Sequence, residues 1–461
     1  MNDGQKSGGK SKCFLEVSGG EPLEGKVCVH GAKNAVLPLL AAGILTDEKV
    51  TVRDCPYISD VDAMVALLQS IGVQVERQGR SISVCSRATS AQVKNSLCKD
   101  MRSSMFMLGA LIATFKEAEI DFPGGCKIGA RPLDIHLDGL CRMGANAQYT
   151  QTGVRCTAKQ LHGANIVMKY PSVGATENLL MCASLAQGEI TLVNCAREPE
   201  IVSLARCLRA MGARIEGEGS SVMRIRGVDK LDGCDFTPVG DRIVAATVLC
   251  ATAITGGRVE IDGVGKDVLG AVCHALESKN CKIVGDGDSL HVTSLARPRA
   301  VNVVTAPYPL FPTDVQPQIF ACSLFADGVS TITETVFESR FAHAAEFRKL
   351  GADCTVRGNV AYIRGANTAK KNRQAFSLRY GCKRPSRRRG TGACRSRTQR
   401  EKQSFRSGVY RPRIRKNRRR VLQSRSERNT QKYTIKSQNA TIKTEFRHNL
   451  NLFAFFLLKK R

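Results

Sequence analysis

The chain carries 19 cysteines among 461 residues, yet no two are spaced as CxxC and no compact framework groups them. That excludes a disulfide-stapled secreted domain and points to a reducing cytoplasm. No charged segment followed by an apolar one opens the sequence at MNDGQKSGGKSK, so no signal peptide is expected. The longest uncharged apolar run, LNLFAFFLL at 450–458, falls well short of the roughly 20 residues of a membrane-spanning helix. Zinc-type His/Cys spacing and the Walker and Rossmann glycine fingerprints are also missing. GDGDSL at 285–290 and GEGSS at 216–220 lack the remaining oxygen ligands of a calcium loop and are read as hairpin turns. Acid is scarce in one region only: from Lys371 onward 29 Lys and Arg face three acids, Glu401, Glu427 and Glu445, so this tail carries +26 of the net charge of +28. The body is nearly neutral.

What is present is a repeat. The length suits two or three domains, and 43% hydrophobic with 5% aromatic residues fits a globular protein with a sizeable core. An Ala-rich apolar helix pattern, a Gly-containing turn and a β-branched strand recur five times, from Gly31, Met101, Gly174, Asp241 and Thr313. Each copy is followed by a more polar helix that closes on a turn at Gly72, Gly144, Gly212, Asn280 or Gly351, the last but one with Asn in the Gly place. These closures are 72, 68, 68 and 71 residues apart, so the unit is close to seventy residues and holds two helices between short strands. Such α/β units must stack to bury their apolar faces. A sixth copy would end near residue 420, inside the basic tail.

Five stretches carry chemistry. In DFPGGCKIGARPLDIH, the turn Pro123–Gly124–Gly125 presents Cys126 beside Lys127, with Arg131 five residues on; cations near an accessible thiol lower its pKa and make it an acid, base or nucleophile. HGAKNAVLPLL places Lys33 and Asn34 at a helix entry suited to an anion, against the alternative of a solvated helix start. YPSVGATENLL sets Ser172, Val173 and Gly174 at another helix N-terminus, for a phosphate or as an ordinary cap. Asp314 in FPTDVQPQ is either a cap or a general base for a substrate hydroxyl. Arg340 in VFESRFAH is either a clamp for carboxylate or phosphate or a surface ion pair with Glu338, and Arg102 in MRSSM is equally ambiguous.

Taken in order and at these spacings, GAKN, MRSSM, PGGCKIGARP, SVGATEN, AREPEI, FPTD and FESRF closely resemble the UDP-N-acetylglucosamine 1-carboxyvinyltransferase family of enolpyruvyl transferases over about residues 14–368. The resemblance implies a two-domain inverted α/β barrel of βαβ-type units, five of six legible here, with 33–239 as one domain and 14–32 plus 240–370 as the other. It implies transfer of enolpyruvyl from phosphoenolpyruvate to the 3′-hydroxyl of UDP-N-acetylglucosamine with release of phosphate, which opens peptidoglycan synthesis, with no metal or organic cofactor. By motif, Cys126 donates the proton, forms a phosphoenolpyruvate adduct and is alkylated by fosfomycin. Lys33 and Arg131 bind phosphoenolpyruvate, Asn34 meets both substrates, and Asp314 is the base. Arg102, Arg131, Pro132, Leu133, Asp134, Ile135, Tyr170, Pro171, Ser172, Val173, Asp314 and Val336 line the nucleotide-sugar site, and Arg340 supports the phosphoenolpyruvate end. A closing cleft with the Cys126 loop as lid is implied too, as is a monomer without a membrane or nucleic-acid partner. The alternatives are the sister family, 5-enolpyruvylshikimate-3-phosphate synthase, which has no cysteine in this loop, a basic-tailed nucleic-acid binder, and a decayed, non-catalytic remnant.

The family's sixth unit, with a YIDRGYE motif whose arginine helps bind phosphoenolpyruvate, is not legible. VYRPRIRKN at 409–417 can be encoded so that dropping one base reads YIDRGYEK. In the same frame the stretch from Arg387 can give an Ala-rich helix, and that from Asn417 a polar helix closing on Gly-Ala. A frameshift between about Thr368 and Ser386 is therefore expected. Residues 371–461 as translated should then be a disordered basic tail, and the chain weak or inactive.

Overall fold

The computed structural model describes residues 14–15, 22–93, 102–122, 133–366 and 380–381. Two compact units are distinguished. In one, the described residues are the antiparallel pair Phe14–Leu15 and Tyr380–Gly381. The other contains everything described from 22 to 366.

The ten described α-helices of this larger unit alternate in character. α1 (Lys33–Ala42), α3 (Phe106–Phe115), α5 (Val173–Ala183), α7 (Arg242–Thr255) and α9 (Gln316–Leu324) are the apolar helices and are buried nearly all round. α2 (Ser59–Ser70), α4 (Asp134–Arg142), α6 (Pro199–Ala210), α8 (Gly270–Glu277) and α10 (Ala342–Lys349) bury one face and wet the other, the pattern of helices laid over a core. Their ends follow charge and backbone chemistry. Asp60 and Asp62 sit in the first turn of α2, and α6 starts on Pro199 and carries Arg209 in its last turn. After each amphipathic helix the chain reverses through a left-handed residue: Gly72 at φ 89°, Gly144 at 94°, Gly212 at 100°, Asn280 at 72° and Gly351 at 83°. Asn280 is tolerated because asparagine is among the few side chains that accept this region.

Five four-stranded sheets accompany the helices, each with one parallel neighbour beside an antiparallel hairpin. Two of them draw a strand from far away in sequence. Cys234–Phe236 pairs in parallel with Val50–Val52 of the first unit, and Leu23–Cys28 pairs in parallel with Gly257–Asp262 of the fourth. Among the described residues two hydrophobic cores result. One runs from Ala32 to Leu231 under three sheets, the other holds Val27, Val29 and Ile243 to Ile363 under two. The chain passes between cores twice, and the two passages lie side by side: Gly31 bridges Gly240, the Ala32 N–H donates to the Val239 carbonyl at 2.8 Å, and the Asp241 N–H to that of His30 at 2.9 Å. The turns at 216–220 and 285–290 are hairpins, as their sequences indicate.

Candidate active site

Where the passages cross, helix starts from different repeats meet. The Lys33 N–H, first of α1, donates to Asp241 Oδ2 at 3.2 Å, while Asp241 Oδ1 caps α7 by accepting from Ile243 and Val244 at 2.9 and 3.0 Å. One carboxylate thus satisfies orphan donors of two helices. Burial pushes its pKa above the ordinary range against these hydrogen bonds. The Lys33 ammonium reaches Asp60 Oδ1 of α2 at 2.7 Å and stays partly open to solvent, with Asn34 exposed beside it.

Beside Asp241, Arg242 and Glu200 form an ion pair that is 6% and 3% exposed, Nε meeting Oε1 at 3.0 Å and Oε2 at 3.3 Å. Burial alone would lower the Arg242 pKa, but Glu200, then Asp314 and Glu198, raise it. The guanidinium therefore faces carboxylates from both cores, and it also lies 5.6 Å from the Tyr308 ring. Glu177, in the middle of α5, is wholly buried, and neither of its oxygens has a hydrogen-bond partner among the described residues. Burial, and then Glu200 and Glu198, raise its pKa well above the carboxylate range. Burial thus favours its protonated form. Neither Arg242 nor Glu177 is singled out by sequence. The usable signal for Arg242 is a cation placed between a capping aspartate and an apolar helix, where nothing but a buried partner would accommodate it.

The fifth repeat contributes Asp314, whose Oδ1 accepts from Arg340 Nη2 at 2.7 Å; the arginine is 13% exposed and the aspartate 40%. Arg340 thus reaches back 26 residues rather than to neighbouring Glu338. Buried Glu334 holds both segments: it accepts from Thr305 Oγ1 at 2.8 Å, Thr313 Oγ1 at 2.9 Å, and the Val336 and Phe337 N–H groups at 2.9 and 3.2 Å. The residue before Asp314 and the loop leading to Arg340 are fixed to one carboxylate. Tyr170 is 41% exposed, and burial, then Glu198 and Glu334, raise its pKa.

Ser172 takes the capping role, its Oγ accepting from Ala175 N–H at 3.3 Å at the start of α5, with Pro171 and Val173 half-buried around it. Leu133, Asp134 and Ile135 open α4, where Asp134 and Ile135 share a shallow depression with Ile166 to Lys169, adjoining Tyr170. Behind them His136, pushed down to about 4 by burial, stands 3.1 Å from the Asn178 amide. Arg102 begins a 3₁₀ turn, Arg102–Met105; Cys126, Arg131 and Pro132 lie outside the described residues. The structure therefore joins Lys33 to Asp241 and Asp60, pairs Arg340 with Asp314, whose charge acts on Arg242, and sets Asp134 and Ile135 beside Ile166 to Lys169. An ammonium, paired guanidinium groups and a half-open carboxylate are the groups needed to hold an anionic donor and remove a hydroxyl proton. No group of three or more His, Cys, Asp or Glu suited to a metal ion occurs among the described residues, and no helix there is long and apolar enough to cross a membrane.

Comparison with known proteins bears on this arrangement. The model of the EPSP synthase (3-phosphoshikimate 1-carboxyvinyltransferase) family matches residues 17–377. UDP-N-acetylglucosamine 1-carboxyvinyltransferase 2 of Caldanaerobacter subterraneus is 44% identical over 355 residues, 77% of this chain and 85% of its own. The UDP-N-acetylglucosamine 1-carboxyvinyltransferase of Granulibacter bethesdensis is 43% identical over 357 residues, again 77% and 85%. Among solved structures, the enolpyruvyl transferase NikO of Streptomyces tendae superposes with a TM-score of 0.68 at 24% identity, over 77% of this chain and 85% of that one. EPSP synthase of Acinetobacter baumannii gives 0.59 at 20%, over 77% and 84%; both likenesses concern the fold. This chain belongs to the enolpyruvyl transferase family, alongside the UDP-N-acetylglucosamine 1-carboxyvinyltransferases.

Proposed function

We propose that the chain is built to move the enolpyruvyl group of phosphoenolpyruvate to the 3′-hydroxyl of UDP-N-acetylglucosamine, releasing phosphate, in the cytoplasm, as a monomer and without a cofactor. The observation that carries this is 44% identity over 355 residues to a relative bearing that name. In this reading Asp314 takes the proton of the sugar hydroxyl, Lys33, Arg131 and Arg340 hold the phosphate and carboxylate of the donor, and Cys126 protonates the enol carbon. Arg102, Asn34, Pro132 to Ile135, Tyr170 to Val173 and Val336 line the nucleotide sugar. PGGC favours this acceptor over shikimate 3-phosphate. The test is phosphate release with each acceptor in turn and alkylation of Cys126 by fosfomycin. Turnover with shikimate 3-phosphate alone would refute the reading.

A second proposal concerns the tail, which from 382 lies outside the described residues. We infer that it is the sixth repeat read one base out of frame, not a nucleic-acid arm. About a seventh of each relative is left unmatched, close to one unit of six. Sequencing the gene from codon 365 onward decides it: codons that cannot give YIDRGYE would sink the idea. Phosphate release by the chain as translated, set against one with the frame restored, should appear only in the latter. Restoring the frame without gaining activity would count against the assigned substrates, not against the fold.

A further inference from the structure

The described cysteines are all free thiols, and two of them stand in direct contact: Cys207 Sγ of α6 and Cys234 Sγ, the first residue of the strand Cys234–Phe236, are 3.8 Å apart. We propose that Cys207 and Cys234 are an oxidisable dithiol that a low-molecular-weight disulfide of the glutathione class closes to an intramolecular disulfide.

Geometry favours closure. A disulfide requires sulfurs about 2.05 Å apart, so the pair must approach by under about 2 Å, within reach of side-chain rotation and a small backbone shift. Cys234 is placed to make that shift, because its strand is the edge of its sheet and pairs, among the described residues, only with Val50–Val52. Access divides the roles. Cys207 is fully buried, whereas Cys234 is partly exposed. The hydrogen bond from Cys207 holds the Cys234 thiol below the ordinary cysteine range, against burial, and the same contact raises Cys207. The exposed sulfur is thus the one an incoming disulfide can reach, and a lowered pKa favours its thiolate, the attacking species.

The chemistry balances. The Cys234 thiolate attacks one sulfur of oxidised glutathione, forming a mixed disulfide and expelling one glutathione thiolate. Cys207 gives its proton to that thiolate and attacks Cys234 Sγ, expelling the second glutathione. Two protein thiols are oxidised and one small disulfide is reduced to two thiols. The bond would tie α6, which carries Glu200 in its first turn, to the strand that leads into the crossing at 239–241.

The test treats the native full chain with oxidised glutathione, blocks free thiols with iodoacetamide and maps unreduced peptides by mass spectrometry. The expected product is a linked pair of peptides containing Cys207 and Cys234, lost on adding dithiothreitol. Cys207→Ser should stop at glutathionylated Cys234, and Cys234→Ser should leave Cys207 unmodified. In the wild-type chain, which tests the idea whether or not a variant folds, either of two results overturns it: both thiols are carboxamidomethylated while other cysteines oxidise, or Cys234 stays as the mixed disulfide. A dominant link between Cys250 of α7 and Cys322 of α9, where the Cys322 thiol donates to the Cys250 carbonyl at 3.3 Å, would overturn it equally.

Discussion

The Glu200–Arg242 pair is the sharpest target for perturbation, because its two partners are not equally dependent on each other. Replacing Arg242 by Met keeps the volume and removes the guanidinium that bonds Glu200, leaving a carboxylate 3% exposed beside Glu177 and Glu198. Breaking a buried pair in this way costs about 3–5 kcal/mol. Glu200→Gln leaves Arg242 with Asp314 and Glu198 as counter-charges and still offers an amide oxygen, so the loss is that of one charge-assisted hydrogen bond, about 1.5–3 kcal/mol. The double variant, with neither charge buried, should cost less than the two singles summed. Urea unfolding followed by far-ultraviolet circular dichroism suits a chain without tryptophan. Equal costs for the two singles, strict additivity, or a loss below about 1 kcal/mol for Arg242→Met would refute this account of the pair.

Glu177→Gln tests the buried acid in α5. Its raised pKa makes the wild type lose stability as pH climbs above the unfolded value of about 4.3, whereas the amide cannot ionise; melting temperatures should converge near pH 4 and the variant should be the more stable at pH 8, or the burial argument fails. Gly109→Ala would set a Cβ 2.2 Å from the Asn178 carbonyl oxygen and 2.7 Å from its Cα, backbone atoms of α5 that cannot turn aside, so a loss of about 1–3 kcal/mol or more is expected. Gly270→Ala, at the start of α8 with nothing within 4 Å of the new Cβ, should be neutral or stabilising by up to about 1 kcal/mol, and equal melting temperatures for the two alanine variants would show that crowding is not the cause. Asp314→Asn removes the assigned base and should lower kcat by about 10²–10⁴ in the frame-restored enzyme, while its half-exposed pair with Arg340 keeps the stability cost to about 1 kcal/mol or less; a large drop in melting temperature with kcat intact would reverse the roles.

The repeat was legible because each unit repeats the same backbone demand. A left-handed reversal admits glycine or asparagine, so Gly72, Gly144, Gly212, Asn280 and Gly351 mark their turns in the letters themselves. The apolar helices read clearly for a similar reason, since α1, α3, α5, α7 and α9 are buried on nearly every side and need no polar face. What spacing could not give is pairing across the chain. Leu23–Cys28 joins a strand more than two hundred residues on, and only the family resemblance placed it with the second half. Ser172 caps its helix, one of its two open readings, whereas Arg340 pairs with Asp314, a partner that neither of its readings named; local sequence has no term that separates a surface pair from one 26 residues apart.

Arg242 and Glu177 escaped for a deeper reason. In a stack of repeats, the site is assembled from helix starts that are distant in sequence, 42 residues apart for Glu200 and Arg242 and 208 for Lys33 and Asp241, and each looks ordinary in its own stretch. Asp241 reads as a cap for α7, yet it also receives the first N–H of α1, 208 residues away. Glu177 is one letter of the SVGATEN motif, yet it is a wholly buried acid whose pKa is raised by burial and then by Glu200 and Glu198. The physical clue common to both is a charge inside an apolar run. Lysine, arginine, glutamate and aspartate are rarely buried without a partner, so a charged residue at a core position of one repeat calls for an opposite charge, or a proton, from another. Applied to DRIVAATVLCATA, that rule asks for an acid from elsewhere, and Glu200 is the acid that answers.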